Sequence, residues 1–204
     1  MFYTVLTHGC DLTVAMATVT KQQGQRFVRF FGSLGVGFSL VTVYVGMNYV
    51  PIDVPDLSNV SDRMVFACRW LVLSLLPLLC CVFIVASTRF ANIQTAGINP
   101  SLPRSEQIVG MKQRVLQNTL EQTVLHVAAV LALSTYLEGT SLKLVPISVF
   151  LFLCGRVTFY VGYLATDYTL YRAFGFSTTF FNNIMVIGYC LYCLFTGGAS
   201  VGFL

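Results

Sequence analysis

Five long apolar stretches constrain this chain more than any other feature of its sequence. Each is long enough to cross the hydrocarbon core of a bilayer as an α-helix, which takes about 20 residues. The stretches are residues 30–52, 64–88, 115–137, 144–165 and 176–196. Only 10% of the 204 residues are charged, whereas a soluble domain carries about a quarter. The sequence therefore predicts an all-α, polytopic membrane protein.

Basic residues in the loops between these stretches indicate an orientation. Lys21, Arg26 and Arg29 precede the first stretch, Arg89, Arg104 and Lys112 follow the second, and Arg172 follows the fourth. Because loops rich in lysine and arginine stay in the cytosol, we expect a cytosolic N-terminus and a C-terminus on the other side. The tripeptide Asn59-Val60-Ser61 falls in the first loop of that other side, which predicts N-glycosylation at Asn59. We expect a multi-pass protein of the endomembrane system, in the endoplasmic reticulum, Golgi or lysosome.

The stretches also divide the chain into three parts. Residues 1–29 form a cytosolic N-terminal segment, 30–63 an added transmembrane helix with its loop, and 64–204 a four-helix membrane domain. Residues 1–20 lack the basic start of a cleavable signal peptide. We expect them to be poorly ordered or to lie on the membrane surface.

Glycines and cysteines within the stretches have ordinary explanations. Gly32, Gly35, Gly37 and Gly46 dilute the first stretch, and we attribute them to the usual composition of membrane helices rather than to close helix contact. The seven cysteines lie mostly in apolar runs, so we expect small buried side chains rather than a disulfide framework. We predict neither a metal site nor nucleic-acid binding.

Polar side chains within the apolar stretches are the candidate functional residues, because charge is costly inside a bilayer. Two sets share the spacing i, i+4, i+7, which keeps each set within about 60° on one helix face. They are Arg114, Asn118 and Glu121 on the third stretch and Arg156, Tyr160 and Tyr163 on the fourth. The two helices run in opposite directions, so we expect the two polar faces to meet at one depth near the cytosolic side.

Several of these positions also have structural explanations, which stay open at this stage. Arg89, Arg114 and Arg172 are alternatively interfacial anchors whose side chains reach the lipid headgroups. Glu121 alternatively forms a structural pair with Arg156 between the third and fourth helices.

The third helix and its neighbours carry further expectations. We expect this helix to begin early, with Ser105 as its N-cap. His126 points away from the Glu121 face, and we expect a buried neutral histidine bonded to a neighbouring helix. Arg69 is isolated near the outer end of its stretch, which indicates an anchor that reaches the interface.

The polar set suits a small anion that carries two carboxylates, an ammonium, amides and a thiol. Arginines bind carboxylates bidentately, a buried glutamate binds the ammonium, an asparagine binds amides, and tyrosines offer hydroxyls. An arginine beside the sulfur favours thiolate over thiol. Glutathione carries all of these groups and is abundant in the cytosol, so it is the candidate cofactor. An apolar second substrate would enter from the membrane lipids.

Two elements of the sequence resemble the MAPEG superfamily, the membrane-associated proteins of eicosanoid and glutathione metabolism. RVLQNTLEQ, with Arg114, Asn118 and Glu121 at its R, N and E positions, resembles the signature of the superfamily's second helix. GRVTFYVGY, followed by Arg172-Ala-Phe-Gly-Phe, is similar to its third helix and the next loop. The resemblance covers residues from about 64 to 204, and the superfamily includes microsomal glutathione transferases and leukotriene synthases.

The resemblance implies a fold, an assembly and a set of site residues. It implies a four-helix subunit that forms a homotrimer, with glutathione between neighbouring protomers near the cytosolic face. The glutathione-binding residues implied are Arg89, Arg114, Asn118, Glu121, Arg156 and Tyr163. Arg172 matches the arginine credited with stabilising the thiolate, which makes it the candidate catalytic residue.

Two departures from the superfamily pattern keep a second function open. Gln122 stands where a tyrosine commonly follows the glutamate, and Phe159 stands where one is expected four residues before Tyr163. Tyr160 is the candidate substitute hydroxyl, although it is turned about 100° from Phe159. The added N-terminal helix and the YRAFGF stretch resemble the mattrin branch, which is associated with epithelial secretory organelles and restraint of Wnt receptor signalling.

Two functions therefore stay open for this chain. The first is a glutathione transferase or peroxidase that acts on lipophilic substrates. The second is a non-catalytic, mattrin-like regulator that acts on another membrane protein, in secretory trafficking or in Wnt receptor signalling.

Overall fold

The computed structural model describes residues 21–55, 57–98, 103–164 and 172–197. Of these residues 91% are helical and none lies in a strand, which confirms the predicted all-α fold. The helices are α1 Lys21–Asn48, α2 Val60–Ser74, α3 Leu76–Ala91, α4 Pro103–Tyr136, α5 Leu144–Leu164 and α6 Arg172–Gly197. A π-helical turn, Ile93–Gly97, follows α3, and a 3-10 turn, Gly139–Lys143, precedes α5. The expectations for residues 1–20 lie outside the described residues.

Five helical segments alternate in direction, with α2 and α3 together forming the second. Hydrogen bonds in antiparallel register join α2–α3 to α4 and to Leu137, the residue that follows α4. From one end to the other they link Arg63 to Leu137, Cys81 to Thr119, and Thr88 to Lys112. We call the end of the bundle where α3 and α5 finish and α6 begins the Arg172 end, and the opposite end the Arg63 end.

Within the described residues, four segments are long and apolar enough to span a membrane by themselves. They are Gln22–Asn48, Val60–Ala91, Gly139–Tyr163 and Arg172–Gly197. Although α4 is more polar than these, it runs beside α2–α3 from end to end and therefore crosses the same depth. The chain is a multi-pass membrane protein.

The face of α4 that packs into the bundle is mostly polar in the middle of the helix and mostly apolar toward the Arg63 end. Its buried residues recur at alternating spacings of three and four, as on a helix that packs along one seam. They include Val115, Thr119, Gln122, His126, Ala129 and Leu133. The amide nitrogen of Asn183 on α6 donates to the side-chain oxygen of Gln122 at 3.2 Å. Such bonds between amides are a common way of joining membrane helices.

Helix boundaries depart from the sequence prediction at three places. The second stretch is divided at Leu75, because Pro77 in the first turn of α3 has no N–H to continue the helix. The third helix begins at Pro103, so Ser105 is a buried residue inside its first turn and not its N-cap; proline is favoured at this position. The last helix begins at Arg172, which is therefore a helical residue rather than a loop residue.

Two glycines bring α5 and α6 into direct backbone contact. A Cβ added at Gly155 would lie 3.0 Å from the carbonyl oxygen of Gly175 and 2.5 Å from Cγ2 of Thr179. A Cβ added at Gly175 would collide with the backbone nitrogen of Phe159. Because neither position has space for a methyl group, these glycines fix the crossing of the two helices. The crossing in turn sets the positions of the arginines beside it on each helix.

Glycines also dock α1 against α5 and α6, and the expectation that these glycines reflect composition alone is wrong. Added Cβ atoms would lie 3.1 Å from Ser177 Oγ for Gly32, 2.7 Å from Phe174 O for Gly35, and 2.7 Å from Ile147 Cδ1 for Gly46. Of these four glycines of α1, Gly37 alone has no described atom within 4 Å of an added Cβ. The packing of these glycines depends on the shapes of α5 and α6, so it cannot be predicted from the sequence of the first stretch alone.

Candidate functional site

Arg156 is buried at the junction of α4, α5 and α6, with 2% of its surface exposed. Its Nη1 donates to Oδ1 of Asn118 at 2.9 Å, and its Nη2 donates to Oγ1 of Thr179. Its guanidinium carbon lies 4.7 Å from the ring centre of Phe159. The bond to Asn118 confirms that the polar faces of the third and fourth stretches meet at one depth. The alternative pair with Glu121 is wrong, since the described residues form no such ion pair and Arg156 is bonded elsewhere.

Two adjoining cavities, of about 340 and 430 Å³, lie at the Arg172 end between α4, α5 and α6. Both are lined by Arg114, Tyr163 and Arg172, and Asn118 and Phe159 line the first. We call the two together the arginine cavity. Their volumes fall within the range of small-molecule sites, about 300–1,000 Å³.

The two arginines of this cavity are held in different ways. The guanidinium carbon of Arg172 lies 4.7 Å from the ring centre of Tyr163, a cation–π contact that fixes its position. Nη2 of Arg114 lies 3.7 Å from Oε1 of Glu106, and these side chains are 73% and 71% exposed. An exposed ion pair contributes about 0–1 kcal/mol. Arg114 can therefore exchange Glu106 for a bound anion at little cost.

Glu121 lies apart from the arginine cavity, on an exposed face of α4. Its Oε1 accepts a hydrogen bond from Nε2 of Gln117 at 3.0 Å. Thr119 beside it contacts Cys81, which precedes the end of α3 at Ala91 by ten residues, or about 15 Å. A carboxylate is therefore exposed well inside the apolar depth of the bundle.

Arg89 and Tyr160 also lie outside the lining of the arginine cavity. Arg89 is in the last turn of α3, where its Nη2 donates to Oε1 of Gln113 at 2.9 Å. Tyr160 is half-buried and packs against the small core cluster that contains Cys81 and Phe159. The structure thus brings Arg114, Asn118, Tyr163 and Arg172 together around the cavity, places Arg156 behind it, and leaves Arg89, Glu121 and Tyr160 outside.

The two positions that lack the expected tyrosines are core positions in this chain. Gln122 is 5% exposed and accepts from Asn183, and Phe159 is 4% exposed, with its ring 5.7 Å from that of Tyr163. His126 is fully buried, and its Nδ1 lies 3.3 Å from Oδ1 of Asn183. This contact confirms the expected bond of the histidine to a neighbouring helix.

Asn59 lies at the Arg63 end, at the N-cap position of α2. Its side chain is exposed, and its Nδ2 donates to Oδ2 of Asp62 at 3.3 Å. Arg63 at the same end is fully buried and donates to the backbone oxygen of Leu137 at 2.8 Å. The sequon and the arginine cavity thus lie at opposite ends of the bundle.

Sequence reasoning missed the polar residues that α6 contributes. Thr179 bonds Arg156, Asn182 bonds Ser148, and Asn183 bonds Gln122 and His126. The signal for them is the adjacent asparagines in the apolar run FFNNIMV, since each amide in a membrane helix needs a hydrogen-bond partner on another helix. Arg63 lies just before the second apolar stretch, where a loop charge would be expected, but it is buried and links α2 to Leu137, the residue that follows α4.

A sequence model described as the MAPEG family matches residues 67–192, which is more than half of the chain. This chain belongs to the MAPEG family. It is 25% identical over 155 residues to Transmembrane protein 79 of Mus musculus, covering 75% of this chain and 38% of that protein. It is 24% identical over 172 residues to Transmembrane protein 79 of Bos taurus, covering 82% and 42%. No solved structure gives a significant match.

These comparisons confirm the predicted resemblance to the MAPEG superfamily and its mattrin branch. The chain spans about two fifths of the length of the two relatives. MAPEG proteins generally use glutathione and are often trimers.

The residues that line the arginine cavity make it suitable for a small anion. Two guanidinium groups and a phenol face the same space, and guanidinium groups bind carboxylates through paired N–H donors. Asn118 offers less to a ligand than the sequence predicts, because its amide oxygen already accepts from Arg156. The described residues include no group of three or more His, Cys, Asp or Glu that could hold a metal ion.

Proposed function

We propose that the arginine cavity binds glutathione and that this MAPEG protein acts as a glutathione transferase or peroxidase on lipophilic substrates. The observation that carries the proposal is the convergence of Arg114, Arg172 and Tyr163 on one cavity. Arg114 matches a carboxylate of glutathione and Arg172 matches its thiolate, and family membership supports glutathione as the ligand.

Each residue of the cavity has a distinct part in this proposal. Arg114, released from its exposed pair with Glu106, binds a carboxylate. Arg172, held over the ring of Tyr163, lies beside the sulfur and favours thiolate over thiol. Arg156 acts as a positioning residue, because it orients Asn118 from behind the cavity. Bound glutathione would supply a thiol that is both a nucleophile and a two-electron reductant.

The proposed site includes a neighbouring copy of the chain. A charged side chain that faces lipid near the bilayer centre costs about 2.5–3.5 kcal/mol on insertion scales, and Glu121 is exposed at such a depth. A homotrimer would cover this face and bring Glu121 toward the partner's cavity, where it binds the ammonium group. Arg156, by contrast, is already buried within one chain, so its burial does not require trimer formation.

A second candidate function is a non-catalytic regulator of another membrane protein. Gln122 and Phe159 favour it, because both are committed to the core where catalytic members of the family carry tyrosine hydroxyls. The docking of the added helix α1 favours it too, since this helix gives the bundle a surface that a four-helix subunit lacks. The mattrin resemblance places such a regulator in secretory trafficking or Wnt receptor signalling.

The same proposal assigns an orientation in the membrane and a division of the chain into a MAPEG domain and an added helix. The Arg172 end faces the cytosol, where glutathione is abundant, and the N-terminus lies on that side of an endomembrane. Residues 64–204 form the MAPEG domain, with α1 as an addition that packs on its α5 and α6. Asn59 faces the lumen and carries a glycan.

A titration of glutathione into the purified protein tests the proposed site. The wild type should bind saturably and gain thermal stability, and Arg114→Ala should weaken binding by about 1.5–3 kcal/mol, the range for a hydrogen bond to a charged group. Arg69→Ala is the matched control, because Arg69 is an exposed arginine far from the cavity and its loss should leave binding unchanged. Equal affinity of all three proteins would contradict the proposal.

Turnover separates the two candidate functions. A transferase or peroxidase should conjugate an electrophile or reduce a lipid hydroperoxide, and Arg172→Ala should abolish this activity while it weakens binding only modestly. Saturable glutathione binding without any turnover by the wild type would instead favour the non-catalytic regulator.

A further inference from the structure

A third cavity, of about 470 Å³, lies between α1, α5 and α6 in the half of the bundle nearer the Arg63 end. It extends along α1 from Ser39 to Asn48, nine residues or about 14 Å of helix. We call it the α1 cavity. It shares no lining residue with the arginine cavity, and one of its walls is the helix that four-helix MAPEG subunits lack.

The wall of the α1 cavity excludes charged ligands. Aliphatic side chains such as Leu40, Val43 and Leu151 form most of it, and its described lining contains no Asp, Glu, Lys, Arg or His. A carboxylate or phosphate would lose its hydration there without a counter-charge, which is costly. Because the surrounding helices are apolar membrane spans, membrane lipids have direct access to the cavity.

Three buried side chains in this wall donate their polar hydrogens to acceptors within the protein. Ser39 Oγ donates to the carbonyl oxygen of Gly35 at 2.9 Å. Ser148 Oγ donates to Oδ1 of Asn182 at 3.2 Å, and Nδ2 of Asn182 donates back to Oγ and O of Ser148 at 3.0 and 3.4 Å. The three residues are 2–5% exposed.

These contacts leave the buried Ser148–Asn182 pair with free acceptor lone pairs and no free donor. A hydroxyl oxygen and an amide oxygen each have two lone pairs, and the bonds between Ser148 and Asn182 use one on each oxygen. A ligand group that meets this pair therefore donates a hydrogen bond, and the rest of the ligand is neutral and apolar like the aliphatic wall. A free hydroxyl on a hydrocarbon body meets both conditions.

We propose that the α1 cavity binds a neutral lipid with a free hydroxyl, of the sterol class. The hydroxyl donates to the Ser148–Asn182 pair, and the hydrocarbon body lies along Leu40 and Val43 of α1. A sterol ketone lacks the donor, and a phospholipid headgroup carries charges that this wall does not neutralise. The proposal is independent of glutathione, since the two cavities are separate.

Binding of radiolabelled cholesterol to the purified chain in phosphatidylcholine nanodiscs tests the proposal. The wild type should bind saturably, unlabelled cholesterol should compete, and cholest-4-en-3-one, with a carbonyl in place of the hydroxyl, should compete at least tenfold more weakly. Absence of saturable binding would overturn the proposal and would mean that phospholipid acyl chains or water fill the cavity. Equal competition by the ketone would also overturn it.

Two variants locate the bound sterol. Val43→Trp fills the cavity and should reduce cholesterol binding at least tenfold, whereas Gly37→Trp adds the same side chain on the same helix where no atom lies within 4 Å and should leave binding unchanged. Ser148→Ala removes part of the acceptor pair and should abolish the preference for cholesterol over the ketone. Unaltered binding by Val43→Trp, with its fold verified by thermal unfolding, would place the sterol elsewhere and overturn the proposal.

Discussion

Arg156 places a charged group in the interior of the bundle, where a guanidinium without partners would be costly. Asn118 on α4 and Thr179 on α6 accept its hydrogen bonds, so one α5 side chain links three helices. The hydroxyl of Thr179 is itself within hydrogen-bond distance of the carbonyl oxygen of Gly175. The residue that the sequence suggests as a ligand-binding arginine is therefore also a structural centre of the membrane domain.

Removal of the Asn118 acceptor should destabilise the fold. In Asn118→Leu the buried guanidinium loses one of its two side-chain partners, and the free energy of unfolding should fall by about 1.5–3 kcal/mol. The matched control is Gln117→Leu, because Gln117 is an exposed neighbour on the same helix and its loss should change stability little. Unfolding in detergent with increasing dodecyl sulfate provides the measurement, and equal stabilities of the two variants would contradict this role of Arg156.

At the scale of helices, close backbone contact determines the architecture. Gly155 and Gly175 let α5 and α6 touch, and Gly35 lets α1 approach α6. Dispersion contacts and hydrogen bonds drive such packing in membranes, because lipid tails are as apolar as the side chains that they replace.

Gly175→Ala should disrupt the crossing of α5 and α6. The added methyl group meets backbone atoms of Gly155 and Phe159, which cannot move aside as the end of a flexible side chain can. Overpacking of this kind costs about 1–3 kcal/mol, which should appear as a lower melting temperature in detergent. Gly188→Ala on the same helix has no atom within 4 Å of its new methyl group in the described structure. It should therefore melt like the wild type, and a similar loss in both variants would argue against the crossing.

Periodicity and hydropathy predict the helices well and their contacts poorly. Four of the five described segments are apolar enough along their length to span a membrane by composition, whereas α4 is more polar and has Thr119, Gln122 and His126 on its buried face. The meeting of Asn118 and Arg156 follows from helical spacing in two antiparallel helices. The position of Glu121 outside the cavity does not follow from spacing, because it depends on the rotation of α4 that the seam from Val115 to Leu133 imposes.

At the scale of the whole molecule, the basic residues and the candidate binding site lie at one end, and the candidate glycosylation site lies at the other. Arg89, Lys112, Arg114 and Arg172 lie at the Arg172 end with the arginine cavity, and the sequon lies at the Arg63 end. The bias of lysine and arginine toward the cytosol predicts which end faces which compartment.

Asn59 should carry a glycan if the Arg63 end faces the lumen. Expression in a eukaryotic secretory membrane should give a glycosidase-sensitive increase in mass, which both Asn59→Gln and Ser61→Ala should remove. Ser61→Ala is the sharper variant, because it leaves Asn59 and its bond to Asp62 in place and destroys only the sequon. An unmodified wild type whose Arg172 end is cleaved by protease from the lumenal side would reverse the orientation.

A mixed assembly tests whether the glutathione site lies between neighbouring chains. Arg114→Ala and Glu121→Gln should each lower glutathione affinity at least tenfold in trimers whose three chains all carry the same substitution. In trimers that combine the two variants at random, about a quarter of the sites regain wild-type affinity if Arg114 and Glu121 come from adjacent protomers across a heterologous interface. Native mass spectrometry of glutathione-bound trimers measures this fraction, and the absence of any high-affinity site in the mixture would contradict a site shared between subunits.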